Sequence, residues 1–95
     1  MPGSPVRYGQ TDPSQPTVYE LPSLRYEGET VPVRIVVRRA EDTSWRARLV
    51  FGAELPEVAP ATAEIFYAET EQDLWVCVYD LRGHHLRDLY RSVVE

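Results

Sequence analysis

Residues 31–51 read VPVRIVVRRAEDTSWRARLVF, and two runs inside this stretch alternate with a period of two. In the first, Val33, Ile35 and Val37 fall on one side and Arg34, Val36 and Arg38 on the other. In the second, Trp45, Ala47, Leu49 and Phe51 oppose Arg46, Arg48 and Val50. Successive side chains of a strand point to opposite faces, so each run reads as a half-buried strand. The polar turn EDTS at 41–44 joins them into an antiparallel hairpin, and their apolar sides must share one face. The other face then carries Arg34, Arg38, Arg46 and Arg48.

Working outward towards the C-terminus, GAELPEVAPAT at 52–62 is acidic and broken by Pro56 and Pro60, so it reads as a loop. It leads to a third strand, AEIFYA at 63–68. A register with Ala63, Ile65 and Tyr67 inward buries the β-branched residue and lets the tyrosine tip reach solvent. Glu64 and Phe66 then lie on the arginine side, where Glu64 offsets one positive charge. From Thr70 the period changes. Thr70 stands three residues before Asp73, and Glu71 and Asp73 suit the positive end of a helix dipole, so a helix is expected to start there. At about 100° per residue, Leu74, Val78, Leu81, His85, Leu89 and Val93 form one stripe that covers the sheet. Val76, Tyr79, Gly83, Tyr90 and Val94 form a second row, nearly opposite, with no role in a monomer.

Working towards the N-terminus, prolines at 2, 5, 13, 16 and 22 withhold amide hydrogens and stiffen the backbone. Residues 1–30 therefore read as a proline-rich arm, either flexible or docked on the surface, and 31–95 as one domain. Val18, Tyr19, Leu21, Leu24 and Tyr26 are too apolar for a pure linker, and the arm can supply a fourth edge strand. The expected fold is α+β: a small antiparallel three-stranded sheet covered by one long C-terminal helix, in the order β-β-β-α. A domain of about 65 residues buries only about 60% of its unfolded surface, and a partner subunit commonly completes one so small.

Composition narrows the setting. The chain has 95 residues, 43% hydrophobic and 26% charged, which suits a globular domain. A single cysteine, Cys77, excludes an intrachain disulfide. No basic patch precedes an apolar run, and no apolar stretch approaches about 20 residues, so a cytoplasmic protein away from the membrane is expected. Every basic residue is arginine; without lysine there is no Schiff-base chemistry, and the bias suggests a GC-rich bacterial or phage genome. The net charge of −5 is uneven. Arginines cluster in 31–51, whereas Glu54, Glu57, Glu64 and Glu69 stand in 52–69 with no base among them. An acidic chain with one basic hairpin is a poor general binder of nucleic acid and a plausible partner for a basic protein.

The candidates for chemistry are few. Cys77, Asp80, His84 and Asp88 share one helix edge and offer zinc-type donors, yet a single straight helix does not close a tetrahedral site, and ordinary i,i+4 pairing accounts for them. His85 has no nucleophile in reach except Ser92, two turns on, and is expected as a partly buried packing residue; Cys77 is expected to pack likewise. Gly83 costs about 1 kcal/mol inside a helix. Either the helix breaks there with Gly83 as a left-handed cap, or it runs on and the missing side chain admits another backbone; the continuous helix is preferred. Arg34, Arg38, Arg46, Arg48 and Phe66 combine charge with apolar area, which suits contact with a protein or weak stacking on single-stranded RNA. No catalytic residue, metal site or cofactor is assigned, and an enzyme is not expected.

The leading expectation is a protein-interaction module, homodimeric through Val76, Tyr79, Gly83, Tyr90 and Val94. The order of three strands and a helix over residues 31–95 is also similar to HicB-like antitoxin domains, which implies a regulatory protein masking a basic RNA-cutting partner. The glycine-rich turn and cysteine usual after the second strand of that family are missing here, as is its C-terminal DNA-binding unit.

Overall fold

The alternating runs form the two central strands of a four-stranded antiparallel sheet. The computed structural model describes residues 15–95. Its elements are β1 (Thr17–Tyr26), β2 (Glu29–Arg39), β3 (Trp45–Phe51), β4 (Phe66–Ala68), α1 (Glu71–Tyr79) and α2 (Gly83–Val94). The strands pair in chain order, β1-β2-β3-β4. Opposed pairs such as Ile35 with Leu49 and Val37 with Ala47 put the apolar sides of β2 and β3 on one face. Val33, Ile35, Val37, Ala47, Leu49 and Phe51 are all buried there, under Leu74 and Val78 of α1.

The arm supplies the fourth edge strand that its apolar residues allowed, so the sheet has four strands where three were the core expectation and the domain begins before residue 31. Residues 17–26 of the proline-rich stretch pair with β2, and Leu24 is buried in the core; the rest of the arm, residues 1–14, lies outside the described residues. The β1 ladder slips between Leu21 and Leu24, so Pro22 and Ser23 drop out of the pairing. Proline donates no amide hydrogen, and an edge strand is where a sheet tolerates that. A tight turn with Glu27 and Gly28 both at positive φ then reverses the chain into β2.

The third predicted strand is shorter and has the opposite register. Phe66 and Ala68 face the core, while Ile65 and Tyr67 are about half exposed. Two contacts on the other face set this choice. Glu64 pairs with Arg38, Tyr67 lies against Arg46, and Phe66 is left to fill the core with a fully apolar ring.

The single long helix is two helices. Residues 71–94 as one rod would span about 36 Å, whereas four strands about 4.8 Å apart give a far narrower layer to cover. The chain instead breaks over 80–82, and α1 packs on β3 and β4 while α2 packs on β1. Thr70 Oγ1 accepts from the Asp73 amide at 3.1 Å, capping α1 as its sequence suggested. Gly83 is the first residue of α2 and lacks the positive φ of a left-handed cap; Arg82 before it is extended. Leu74, Val78, Leu81, Leu89 and Val93 of the expected stripe all pack on the core, joined by Leu86 and Tyr90, and only His85 of that stripe is exposed. Among the described residues no helix is long and apolar enough to cross a membrane.

Candidate functional site

The helix side of the sheet carries an incompletely closed seam where β1 passes beside the α1–α2 junction. A groove of about 350 Å³ opens there, lined by Leu21, Pro22, Ser23, Val78, Tyr79, Leu81, Gly83 and Leu86. Its β1 wall exists because Pro22 and Ser23 step off the ladder, and its helical wall because the chain breaks at 80–82. No acid or base is among its lining residues, so it offers shape and apolar area more than chemistry. Beside it runs a chain of aromatic rings. Tyr19 meets Trp75 edge to face at 5.1 Å between centroids, and Trp75 stacks on Tyr79 at 5.7 Å. Trp75 is held by its Nε1–H, which donates to Glu71 at 3.3 Å. Tyr79 is nonetheless 76% exposed and Val76 62%.

The predicted interface row therefore divides. Tyr79 and Gly83 line the groove and Val76 stands exposed on α1, one turn before the break. Tyr90 does not join them. Its ring packs against Tyr26 at 4.9 Å and Phe51 at 5.2 Å, inside its own molecule. Val94 lies at the far end of α2. The row assumed a single helical phase, and the break removes that assumption. Leu21 and Leu81 were expected as packing residues and Pro22 as a backbone stiffener, none of them as part of a binding surface, and Leu86 was not singled out, although a proline within an otherwise apolar, strand-like stretch marks an irregular edge.

The arginine face is largely consumed by its own chain. Arg34 Nη2 donates to the Gly52 carbonyl at 2.9 Å and to the Glu54 carbonyl, which clamps the start of the 52–65 segment onto β2. Val36 and Val50 pack with Ala59 and Ala61 of that segment in a second, smaller core. Arg38 meets Glu64 through two hydrogen bonds, Nε at 2.5 Å and Nη2 at 2.8 Å. That pairing holds the Glu64 carboxyl below the usual range and raises Arg38. Arg46 bonds Asp42 at 3.1 Å and lies 5.1 Å from the centre of the Tyr67 ring. Asp42 also accepts from the Ser44 hydroxyl at 2.5 Å and amide at 3.0 Å, and these bonds lower its carboxyl. Among the described residues only Arg48 of the four makes no hydrogen bond or ion pair. Phe66, expected on this face, is in the opposite core. Three of the four cations are thus engaged by the chain's own acids and carbonyls.

The remaining candidates part company at the break. Cys77 is exposed on α1 and does not pack into the core, while His84 and Asp88 belong to α2. Among the described residues no three of His, Cys, Asp and Glu are grouped to hold a metal ion. His85 accepts at Nδ1 from the Arg82 amide at 3.3 Å, satisfying one of the free donors at the start of α2. Comparison of the chain with family models, with curated proteins and with solved structures finds no match.

Proposed function

We propose that this protein is a non-enzymatic protein-interaction module that binds a second copy of itself through the groove at the α1–α2 junction and the exposed aromatic edge beside it. One observation carries the reading: Tyr79, stacked on Trp75, stands exposed against an apolar groove that the chain's own residues leave open, with Val76 exposed on the same helix. Aromatic side chains fixed in place before binding lose little freedom on contact, and they dominate interface energetics. The closure of the arginine face by Glu64, Asp42 and the 52–65 segment weighs against RNA as the main partner.

Gly83 gives the direct test. A Cβ added there meets nothing within 4 Å, and its φ is ordinary, so Gly83→Leu folds while its side chain projects at the groove. Sedimentation velocity of the full chain should show self-association that Gly83→Leu and Tyr79→Ser both weaken. A chain that stays monomeric at the highest attainable concentration overturns the reading.

A further inference from the structure

The segment 52–62 has an unusual combination of rigidity and exposed grease. Pro56 and Pro60 stiffen it. Arg34 clamps the carbonyls of Gly52 and Glu54. Gly52 donates to Pro32 at 2.8 Å and Phe51 to Pro60 at 2.9 Å. Ala59 is buried against Val36 and Val50. Within this frame the amides of Val58 and Ala59 both donate to the Leu55 carbonyl at 3.0 Å, forming a single helical turn. Leu55 and Val58, three residues apart, project from the same side of it. They are 70% and 71% exposed, flanked by the exposed carboxylates of Glu54 and Glu57. A loop whose backbone is pinned at several points has no need to present its two largest apolar side chains to water.

We infer that this acidic turn is the occupant of the groove in a second copy, so that molecules join head to tail. The inference rests on the self-association proposed above and specifies its geometry. Charge favours the match. The residues that line the groove carry no charge, but among those next to them at 80–87 the exposed Arg82 and Arg87 outnumber Asp80, and Asp88 beyond them lies 3.6 Å from Arg91. The turn contributes Glu54 and Glu57 and no base. The two halves cannot meet within one molecule. Ala59 seats the turn on the sheet face that carries Val36 and Val50, whereas the groove is built over the opposite face by α1, α2 and β1. A contact between two different patches is heterologous, and it generates rings if the rotation closes and open chains if it does not.

Two variants separate this arrangement from a two-fold dimer. Leu55→Ser/Val58→Ser removes the knob, and Arg82→Glu/Arg87→Glu reverses the groove rim; all four residues are exposed, and circular dichroism of each variant checks that it folds. Head-to-tail assembly makes the wild-type chain grow past a dimer, or close into a ring, as concentration rises in sedimentation velocity. Each variant alone should associate about tenfold more weakly or worse, as truncation of central interface residues does. An equimolar mixture of the two should form a dimer that stops there, because one intact knob meets one intact groove and both ends are then dead. A wild-type dimer that never grows, unaffected by either variant but broken by Tyr79→Ser, overturns the head-to-tail geometry and leaves self-association standing. A wild-type chain that is monomeric throughout overturns both and leaves the turn to a different, basic partner.

Discussion

The two faces of the sheet are closed by different physics. On the helix face, Leu74 and Val78 cover a continuous layer of valine, isoleucine, leucine and phenylalanine, and the contact is almost wholly apolar. On the arginine face a loop does the covering, and it is held as much by donated hydrogen bonds and one two-pronged ion pair as by the small patch of Val36, Val50, Ala59 and Ala61. Apolar burial is non-directional and scales with area. Polar closure depends on a few atoms being in the right place, so each of its residues is separately testable.

The largest expected effect lies on the helix face. Leu49 is fully buried, and Leu49→Ala should cost about 2–5 kcal/mol in urea unfolding, the range for truncating a packed aliphatic side chain. A loss below about 1 kcal/mol would mean that this face is looser than its burial indicates. On the arginine face, Arg34→Ala should cost about 1.5–3 kcal/mol, the usual worth of hydrogen bonds from a charged donor. It should also speed hydrogen exchange at Phe51, whose amide bonds Pro60. Arg34→Lys should recover only part of this: a single nitrogen, Nη2, makes both bonds, and an ammonium has the donors but sits on a shorter stem. If Arg34→Ala leaves exchange unchanged, burial of Ala59 is what holds the loop.

A double-mutant cycle on Arg38 and Glu64 should give a coupling of about 0.2–1 kcal/mol, since the pair is partly solvated. Its pH dependence has a definite sign. The folded-state carboxyls of Glu64 and Asp42 are lowered by Arg38 and Ser44 respectively, so their contribution is fully present above the ordinary carboxylate range near pH ~4. It disappears as pH falls through the lowered values. Glu64→Gln should therefore flatten the acid limb of the stability profile, and an unaltered limb would remove Glu64 from the account. The smallest effect is expected at Arg48, which has no partner among the described residues. Arg48→Ala should change stability by no more than about 0.5 kcal/mol, and a larger loss would show that its stem packs against the sheet.

The same contrast explains what could be read from the sequence. Alternation along 31–39 and 45–51 was enough to identify β2, β3 and the shared apolar side, because that signal is local and repeats. The register of 63–68 was not readable. Ile65, Phe66 and Tyr67 are all apolar enough to face inward, and the decision is made by Arg38 and Arg46, more than 20 residues away in the chain. The break at 80–82 was hidden for a related reason: Val78, Leu81 and Leu89 keep helical spacing straight across it. Gly83 marked the place without revealing the conformation. Of the proposed surface, Val76, Tyr79 and Gly83 could be found from an apolar row opposite the core stripe, and Tyr90 was misassigned because the row presumed a straight rod. The β1 wall of the groove depends on Pro22 and Ser23 leaving the ladder, which no periodicity encodes.

That departure also protects the molecule. A ten-residue border strand with free amides and carbonyls is a template on which other chains can stack into fibres. Here an incoming strand would find its ladder interrupted midway, where Pro22 has no hydrogen to give and the ribbon changes step. Among the described residues nothing pairs with this border, and the missing donor and the change of step work against such stacking.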